Sequence, residues 1–446
     1  MRQRLSKLGR LAGLDSQVLP TLLLRSWQII AGGVMVLLIP LWLSKVEQGY
    51  YYTFSSLLAL QVFFELGMNQ VIVQLVSHDF AHLSVASGAG INGDAIRIAR
   101  LASLVGLLRR WYSIAASLFF VVVSACGAWF FFTRGNLPIS AWGGAWLILT
   151  LVTAANLYLS APLAVLEGCG EMAGVARMRL VQAVCGSGLM WIALTFGVGL
   201  WAMPLVPMAA AAYTAYWLRI NGTTIKLLRH HSAVNANTVK INWRADIFPF
   251  QWRIAVSSFS GYFIFQLFTP LAFARVGAVE AGRLGITMTM FSALLTVGMS
   301  WVNAKLPTFA AHVSRNERVS LNLIFRSVLK RSMVFTLAGV ITMMMVMEFL
   351  IAMDVAIAQR FASIPVFACL SIVTLANCLI FAEAAYMRAH KEEPMMLPSV
   401  VVGLLILVGS TIASSYGVTS MMVTYALVTA GVGLPWTYFL YRRYRH

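Results

Sequence analysis

Long apolar segments recur along the whole chain and restrict its fold more than any other feature. Of the 446 residues, 60% are hydrophobic and 11% are charged, whereas soluble domains are close to half apolar and a quarter charged. A segment of about 20 apolar residues is long enough to cross a hydrocarbon layer that is about 30 Å thick. The sequence therefore predicts an all-α integral membrane protein with about twelve transmembrane helices and no large soluble domain.

The predicted spans are separated by short loops on one side of the membrane. The apolar run of the first span is too long for the hydrophobic region of a cleavable signal peptide. Several Trp and Tyr residues lie near the predicted ends, as an interfacial aromatic belt requires. We place the spans near residues 22–44, 50–76, 112–133, 141–165, 177–197, 200–220, 250–274, 284–309, 332–353, 361–386, 396–414 and 418–440.

The net charge of +18 is distributed unevenly across these spans. Twenty-eight of the 33 Lys and Arg residues fall on one side or within a turn of it, including a basic lead-in of Arg2, Arg4, Lys7 and Arg10. By the positive-inside rule this side is cytoplasmic and so are both termini. We expect the basic surface to face anionic lipid headgroups. No nucleic acid partner is expected, because no basic segment carries a recognisable binding module.

Motifs of catalysis and metal binding are absent from the sequence. There is no GxxxxGK[ST], GxSxG or HExxH pattern, and the predicted outer loops are too short to hold a catalytic domain. The five cysteines show no CxxC or Cys/His spacing and are expected to be packing residues. We therefore expect neither an enzyme nor a metal site.

Two cytoplasmic segments resemble each other and reveal an internal repeat. Residues 94–110 and 316–331 are both amphipathic, and each is predicted as an interfacial helix on the inner leaflet. Each ends in a basic pair, Arg109-Arg110 and Lys330-Arg331, just before a span. The offset of 221 residues between these pairs also relates Asn156 to Asn377.

The repeat predicts two pseudo-symmetric six-helix bundles. Because six is an even number, both halves keep the same orientation and are expected to be related by an axis along the membrane normal. A central cavity is then expected between the halves. The predicted divisions are an N-terminal bundle at 1–220, a cytoplasmic linker at 221–248 and a C-terminal bundle at 249–446.

A polar stripe inside the second span is the strongest functional signal. Gln61, Glu65 and Asn69 are spaced i, i+4, i+8 and so share one helical face. Measured from Tyr50, Glu65 lies roughly 22 Å along the span, at about 1.5 Å per residue. A carboxylate at that depth is expected to face a bundle interior or a wet cavity. The stripe indicates either a cavity lining, with Glu65 as a coupling residue, or hydrogen bonds between helices.

The eighth span, which is equivalent to the second by the repeat, carries a stripe of its own. Its members are Ser292, Thr296, Ser300 and Asn303. Two stripes on equivalent helices favour the cavity interpretation. The equivalent pair Asn156 and Asn377 either lines that cavity or bonds to neighbouring helices.

Cationic residues near predicted span ends are a further group of candidates. Arg25 beside Trp27, and Arg253 beside Trp252, occupy the first turns of the first and seventh spans. Lys305 follows Asn303 closely. Each cation either extends to the lipid headgroups or binds a phosphate or pyrophosphate group, which a guanidinium contacts bidentately.

Two further residues within spans are candidates for an ion pair and for a helix bend. Glu383 lies near the inner end of its helix, where an ion pair with Arg388 competes with a functional role. Pro270, near the outer end of the seventh span, is a candidate site of bending.

The segments IPLWLS at 39–44 and EQGYYYTFSSLLALQVFFELG at 47–67 resemble the start of bacterial polysaccharide-biosynthesis proteins of the O-antigen flippase type. These proteins are part of the multidrug/oligosaccharidyl-lipid/polysaccharide (MOP) exporter superfamily. The resemblance implies twelve helices in two bundles that open a cavity to one side at a time. It also implies translocation of an undecaprenyl-pyrophosphate-linked oligosaccharide, a lipopolysaccharide or exopolysaccharide repeat unit, across the cell inner membrane. Cationic and aromatic cavity residues are expected, and Arg25, Arg253, Lys305, Trp27 and Trp252 are the candidates.

Two alternatives stay open on the sequence. The first is a cation-coupled exporter of amphipathic small molecules in the same superfamily. The second is a membrane polysaccharide polymerase or glycosyltransferase. For the flippase we expect a monomer, H⁺ or Na⁺ as the coupling ion, and contact with polysaccharide assembly proteins.

Overall fold

The computed structural model describes residues 18–86, 90–234, 243–390 and 394–445. Within these residues, nine helices are long and apolar enough to cross a membrane, and two bent helix pairs raise the number to eleven. The helix Leu205–Asn221, with 17 residues, lies at the predicted sixth span and is not counted among them. The chain is a multi-pass membrane protein with nine to eleven candidate spans among the described residues, where the sequence predicted about twelve.

The chain divides into two compact units, and two short segments from the first half of the chain belong to the second unit. The first unit comprises Met1–Leu38, Leu60–Thr133 and Leu137–Ala255, and the second comprises Ile39–Ala59, Arg134–Asn136 and Val256–His446. The predicted linker begins as a helix, and its Lys240 lies outside the described residues, as does the basic lead-in. The boundaries at 220 and 249 stay a prediction, but residues 39–59 pack with the second unit although they precede it by some 200 residues.

In chain order the first part of the molecule contains ten helices and a small hairpin. The helices are α1 (Val18–Trp42), α2 (Lys45–Leu58), α3 (Gln61–Glu65), α4 (Met68–Phe80), α5 (Ala95–Arg134), α6 (Ile139–Gly168), α7 (Met172–Thr195), α8 (Leu205–Asn221), α9 (Thr223–Val234) and α10 (Phe248–Phe265). Strands β1 (Leu83–Ala86) and β2 (Gly90–Gly93) form an antiparallel pair with Leu83 opposite Gly93. This hairpin is not among the predicted elements.

The remaining helices are all in the second unit. They are α11 (Phe268–Arg275), α12 (Ala278–Gly298), α13 (Ser300–Ala304), α14 (Leu306–Ser314), α15 (Arg318–Ala352), α16 (Ile364–Arg388), α17 (Met396–Ala413), α18 (Val418–Val428) and α19 (Leu434–Arg445). A 3₁₀ turn, Ala356–Arg360, joins α15 to α16, and a π-helical turn, Thr429–Gly433, joins α18 to α19.

The two predicted interfacial helices are wrong as separate elements. Helix α5 runs without a break for 40 residues and α15 for 35, so each is about 50–60 Å long at 1.5 Å per residue. The apolar face of the first segment, with Leu101, Leu104 and Leu108, is buried within the protein. A basic pair marks a membrane boundary without ending a helix, because Arg and Lys are good helix formers.

Helix α2 is held against α12 at backbone distance in the second unit. A Cβ at Gly49 would lie 1.9 Å from the carbonyl oxygen of Ala278, and a Cβ at Gly282 would lie 2.8 Å from the nitrogen of Gly49. Gln48 is buried and donates from Nε2 to the carbonyl oxygens of Gly282 and Arg360, both at 3.0 Å. Small residues let membrane helices approach this closely. They fix the position of α2 in the second unit.

The turn that follows α15 places a cation near the start of α2. Burial lowers the pKa of the Arg360 guanidinium below its usual range, and the Glu47 carboxylate offsets part of this shift. Lys45 donates from Nζ to the side-chain oxygen of Gln359 at 2.7 Å. These polar contacts join the start of α2 to the turn that follows α15.

The seventh span bends where the sequence carries proline. Helices α10 and α11 are related by a bend of 44°, and Pro270 is the third residue of α11. Proline has no N–H to donate to the carbonyl four residues earlier, and its ring clashes with that carbonyl. The break at residues 266–267 has this cause, as predicted for Pro270.

Candidate functional site

A large cavity lies inside the second unit. Its volume is about 930 Å³, near the upper end of the range that is usual for small-molecule sites, about 300–1,000 Å³. Four predicted residues line it: Ser292 and Thr296 from α12, Asn303 from α13 and Asn377 from α16. The structure thus brings together most of the second stripe with one member of the repeated Asn pair.

The polar groups of this cavity are neutral or cationic. Among the described residues that line it, Arg388 is the one charged side chain, and none is an aspartate or glutamate. Thr296 donates its hydroxyl hydrogen to the carbonyl oxygen of Ser292 at 2.8 Å, which leaves oxygen lone pairs as acceptors. Gln266 and Asn377 add amides that both donate and accept. The cavity therefore suits ligands that are rich in hydroxyl groups, with one site for a negative charge.

The repeated asparagines have different environments. Asn156 donates from Nδ2 to the carbonyl oxygens of Val152 and Pro207 at 3.1 and 2.8 Å, so it joins α6 to α8. Asn377 is 5% exposed, lines the cavity and hydrogen-bonds the Tyr425 hydroxyl. Of the two interpretations of this pair, helix bonding describes Asn156 and cavity lining describes Asn377.

The first stripe forms a hydrogen-bonded cluster of half-buried side chains in the first unit. The Glu65 carboxylate accepts from the backbone and side chain of Asn69 and from the side chain of Gln61. On its other side the Asn69 Oδ1 accepts from the Tyr112 hydroxyl at 2.7 Å, and the Ser160 Oγ lies 3.4 Å away. The three predicted residues meet as expected, and α5 and α6 supply their partners.

The helix that carries the first stripe is broken in the middle of the stripe. Leu66 and Gly67 both have left-handed backbone conformations, with φ of 54° and 67°, and the two segments of the span are bent by 44°. A left-handed residue other than glycine costs on the order of 1–3 kcal/mol and is commonest at functional sites. The assumption of one continuous helix is wrong here, although the three side chains still converge.

The predicted cations and aromatic residues of the span ends lie outside the cavity lining. Arg25, Arg253 and Lys305 are exposed. Trp27 donates from Nε1 to the Ser187 hydroxyl at 3.2 Å and stacks obliquely on Trp191, with ring centroids 5.9 Å apart. Both interpretations of the cations, contact with headgroups and contact with phosphate, remain open.

The remaining two predicted site residues lie outside the cavity lining. Trp252 is 39% exposed, and the guanidinium of Arg253 lies 5.6 Å from its ring centroid. Ser300 is exposed and donates to the carbonyl oxygen of Thr296 at 3.3 Å. Their roles stay predictions.

Glu383 is a buried carboxyl that the cavity does not include. It is 4% exposed, and its Oε2 has no hydrogen-bond partner among the described residues. It neighbours Tyr441 in an aromatic cluster in which the ring centroids of Tyr386 and Tyr441 are 5.1 Å apart. This position supports a core location in place of the ion pair considered for Arg388.

Sequence reasoning did not select Gln266 and Arg388 as site residues. Gln266 carried a usable signal, because it is an amide in an apolar span and lies four residues before Pro270. Arg388 was considered only as a partner for Glu383. A helical-wheel comparison with Asn377 and Phe381 would have placed it on the same face.

Metal and thiol chemistry receive no support from the described residues. Within these ranges no group of three His, Cys, Asp or Glu residues could hold a metal ion. Burial, together with the nearby Glu171 carboxylate, raises the pKa of the Cys169 thiol to about 12, so this cysteine is an unreactive thiol at neutral pH.

Three solved structures illustrate what the chain is similar to. An inward-facing multidrug resistance MATE family transporter of the MOP superfamily matches with 14% identity over 94% of each chain and a TM-score of 0.65. Lipid II flippase MurJ, in an inward closed conformation, matches with 12% identity over 95% of this chain and 87% of that chain, with a TM-score of 0.60. A MOP superfamily transporter from Pyrococcus furiosus matches with 15% identity over 97% of this chain and 96% of that one, with a TM-score of 0.54.

No protein-family model matches the chain, and no curated protein matches it. At these identities the structural likeness shows the fold, which is that of the MOP transporters with two pseudo-symmetric helical bundles. The predicted fold class is confirmed. The named structures are those of transporters.

Proposed function

We propose that the protein is a flippase that translocates a polyprenyl-pyrophosphate-linked oligosaccharide, an O-antigen or exopolysaccharide repeat unit, by alternating access. The proposal combines the transporter fold with the chemistry of one cavity. The printed name of the MurJ structure, a lipid II flippase, gives a precedent on this fold for a lipid-linked substrate.

The observation that carries the proposal is the lining of the second unit's cavity. Its polar groups are hydroxyls, amides and the Arg388 guanidinium, and the lining residues that the structure describes include no carboxylate. A cationic drug would lose hydration there without gaining a counter-charge, which is unfavourable in a low-dielectric site. A glycan gains hydrogen bonds to neutral donors and acceptors, and a pyrophosphate gains a charge-assisted contact with a guanidinium.

Each part of the proposed substrate has a matching environment. Asn303 and Asn377 are the proposed contacts for sugar hydroxyls. Arg388 is the proposed contact for the pyrophosphate, with Arg25, Arg253 and Lys305 as exposed cations that attract it from the membrane surface. The polyprenyl tail stays in lipid, where it replaces no polar contact.

Glu65 is the proposed coupling residue, with H⁺ or Na⁺ as the coupling ion. Its carboxylate is the acceptor at the centre of the cluster with Gln61 and Asn69. Protonation would remove the negative charge that these donors stabilise, and the change would act next to the left-handed break at Leu66 and Gly67. A charge change beside a break in a helix is a suitable trigger for a conformational transition.

The cellular setting follows from the sequence. The proposed location is the cell inner membrane, with both termini in the cytoplasm and the basic side against anionic lipid. We propose a monomer that contacts polysaccharide assembly proteins.

A cation-coupled exporter of amphipathic small molecules is the second candidate. The Glu65 cluster favours it, because a carboxylate within a span can attract a cationic ligand, and one of the matching structures is a multidrug transporter. This candidate predicts that Glu65→Gln abolishes drug resistance and leaves surface polysaccharide unchanged.

The test is surface-polysaccharide display in a deletion strain that is complemented with wild type or variants. The informative variants are Glu65→Gln and Arg25→Ala combined with Arg253→Ala. The matched control is Thr342→Val, which changes an exposed hydroxyl on α15. We expect the deletion to lose surface polymer and accumulate lipid-linked repeat units, with rescue by wild type and by the control.

The outcomes separate the parts of the proposal. Failure of Glu65→Gln to rescue, at normal expression, supports coupling through Glu65. Rescue by the double Arg variant limits those cations to headgroup contact. Unchanged polysaccharide in the deletion strain, with a loss of drug resistance, would replace the flippase with the exporter.

A further inference from the structure

A second, smaller chamber adjoins the large cavity within the second unit. Its volume is about 330 Å³, which is at the low end of the range for small-molecule sites, about 300–1,000 Å³. It shares Gln266, Ser292 and Asn377 with the large cavity, so these side chains lie at the border of both. We call it the neutral chamber, and its polar lining includes Tyr52, Thr374 and Tyr425.

No lining residue of the neutral chamber carries a charge. Instead it collects hydroxyls from α2, α11, α12, α16 and α18 beside the amides of Gln266 and Asn377. An anion or a cation would be desolvated here without compensation. A neutral, hydroxyl-rich group would exchange its water hydrogen bonds for protein ones.

Two threonine hydroxyls of the chamber donate within their own helices. Thr374 donates to the carbonyl oxygen of Leu370 at 2.7 Å, and Thr289 donates to that of Gly285 at 2.8 Å. A hydroxyl that donates within its own helix keeps lone pairs for a ligand. The amides supply N–H donors. Sugar hydroxyls donate and accept at once, so this mixture matches them.

The shape of the chamber is set by a close helix contact. A Cβ at Gly285 would lie 2.4 Å from the Cβ of Tyr52, so Tyr52 is held at a fixed depth between α2 and α12. The ring of Tyr425, another lining residue, packs on that of Phe268 with centroids 4.4 Å apart. Two restrained tyrosines give the chamber a defined width, as a selective site requires.

We propose that the neutral chamber binds one uncharged sugar ring of the transported glycan and so contributes to glycan selection. This inference rests on the proposed function for the source of the sugar. Along α16, Asn377 and Arg388 are separated by about 16 Å at 1.5 Å per residue. The selected ring is therefore a sugar some distance from the pyrophosphate, not the one attached to it.

The test measures thermal stabilisation of the purified full-length protein in detergent by free monosaccharides. The probes are N-acetylglucosamine, galactose and glucose as neutral sugars, and glucuronic acid as the charged counterpart. We expect at least one neutral sugar to raise the melting temperature in a saturable way and glucuronic acid to have no effect. The variants are Thr374→Val and Asn377→Leu, with Thr342→Val on the exposed face of α15 as the matched control.

Thr374→Val is nearly isosteric and keeps the helix, so folding is not at stake. We expect it to weaken the response to sugar roughly three- to tenfold, as the loss of one hydrogen bond does, while Thr342→Val responds like wild type. Stabilisation by glucuronic acid equal to that by neutral sugars, or an unchanged response of both chamber variants, would overturn the inference.

A parallel assay of surface polysaccharide separates this inference from the proposed function. Normal display by wild type with no response to any neutral sugar would reject the chamber and keep the flippase. A saturable, Thr374-dependent response in a protein whose deletion leaves polysaccharide unchanged would keep the chamber and reject the flippase.

Discussion

The polar stripes of the second and eighth spans have the same kind of spacing in the sequence. In the structure one is hydrogen-bonded to neighbouring helices and the other lines a cavity. In the second span, Glu65 and Asn69 are bonded to each other, and Tyr112 and Ser160 complete the cluster. In the eighth span, Thr296 and Asn303 face a cavity of about 930 Å³. A polar stripe in a membrane helix therefore indicates that the face avoids lipid, but the partner it faces depends on the neighbouring helices.

The largest expected effect on stability concerns the hydrogen-bonded cluster around Glu65 and Asn69. Asn69→Leu leaves Glu65 and Tyr112 without their shared partner, and an unsatisfied buried group costs about 1–3 kcal/mol. Asn303→Leu removes an exposed amide from a cavity wall, and we expect its cost to be below about 0.5 kcal/mol. Thermal unfolding of both purified variants measures the difference. Equal losses of stability would remove the distinction between the two stripes.

The repeated asparagines give an intermediate effect. Asn156→Leu removes the one hydrogen bond of this side chain that joins α6 to α8, to the carbonyl oxygen of Pro207, so we expect a loss of about 0.5–1.5 kcal/mol. Asn377→Leu is expected to lower transport more than stability, because its amide lines the cavity. Measurement of both properties for both variants sharpens the comparison. The opposite pattern, with transport lost only in Asn156→Leu, would reverse the assignment of the two sites.

The smallest effect concerns the breaks in the two spans. Leu66 has a left-handed backbone at φ 54°, so Leu66→Gly relieves strain, and we expect a stabilisation of up to about 1 kcal/mol after the loss of chain entropy. The eighth span breaks before Ser300 with right-handed geometry, and Ser300→Gly is expected to destabilise by roughly 0.5–1 kcal/mol. The measurement is the sign of the change in unfolding temperature. The same sign at both sites would contradict the inferred strain at Leu66.

The sequence was sufficient for the class of protein and for much of the topology. Apolar segment length predicted the spans because backbone groups in lipid must be satisfied within a helix. Periodicity brought Gln61, Glu65 and Asn69 together, and the repeat paired Asn156 with Asn377. Span length, helical periodicity and the repeat offset are all spacings between residues, which can be read from a sequence directly.

Tertiary contacts account for what the sequence did not predict. The packing of α2 against α12 depends on Gly49 and Gly282 meeting across more than 200 residues. Gln266 and Arg388 line the cavity because α10 and α16 converge there. The continuation of α5 through Arg109 and Arg110 needed knowledge of what covers its apolar face.

The most direct test of the central claim is transbilayer movement of a lipid-linked oligosaccharide in proteoliposomes. The protein is reconstituted as wild type and as Asn303→Leu combined with Asn377→Leu, and a cationic dye is followed in parallel vesicles. We predict that wild type moves the polyprenyl-pyrophosphate oligosaccharide, that the double variant slows it about tenfold or more for two lost amide contacts, and that the dye is not expelled. Expulsion of the dye in a Glu65-dependent manner, with no movement of the oligosaccharide, would contradict the account.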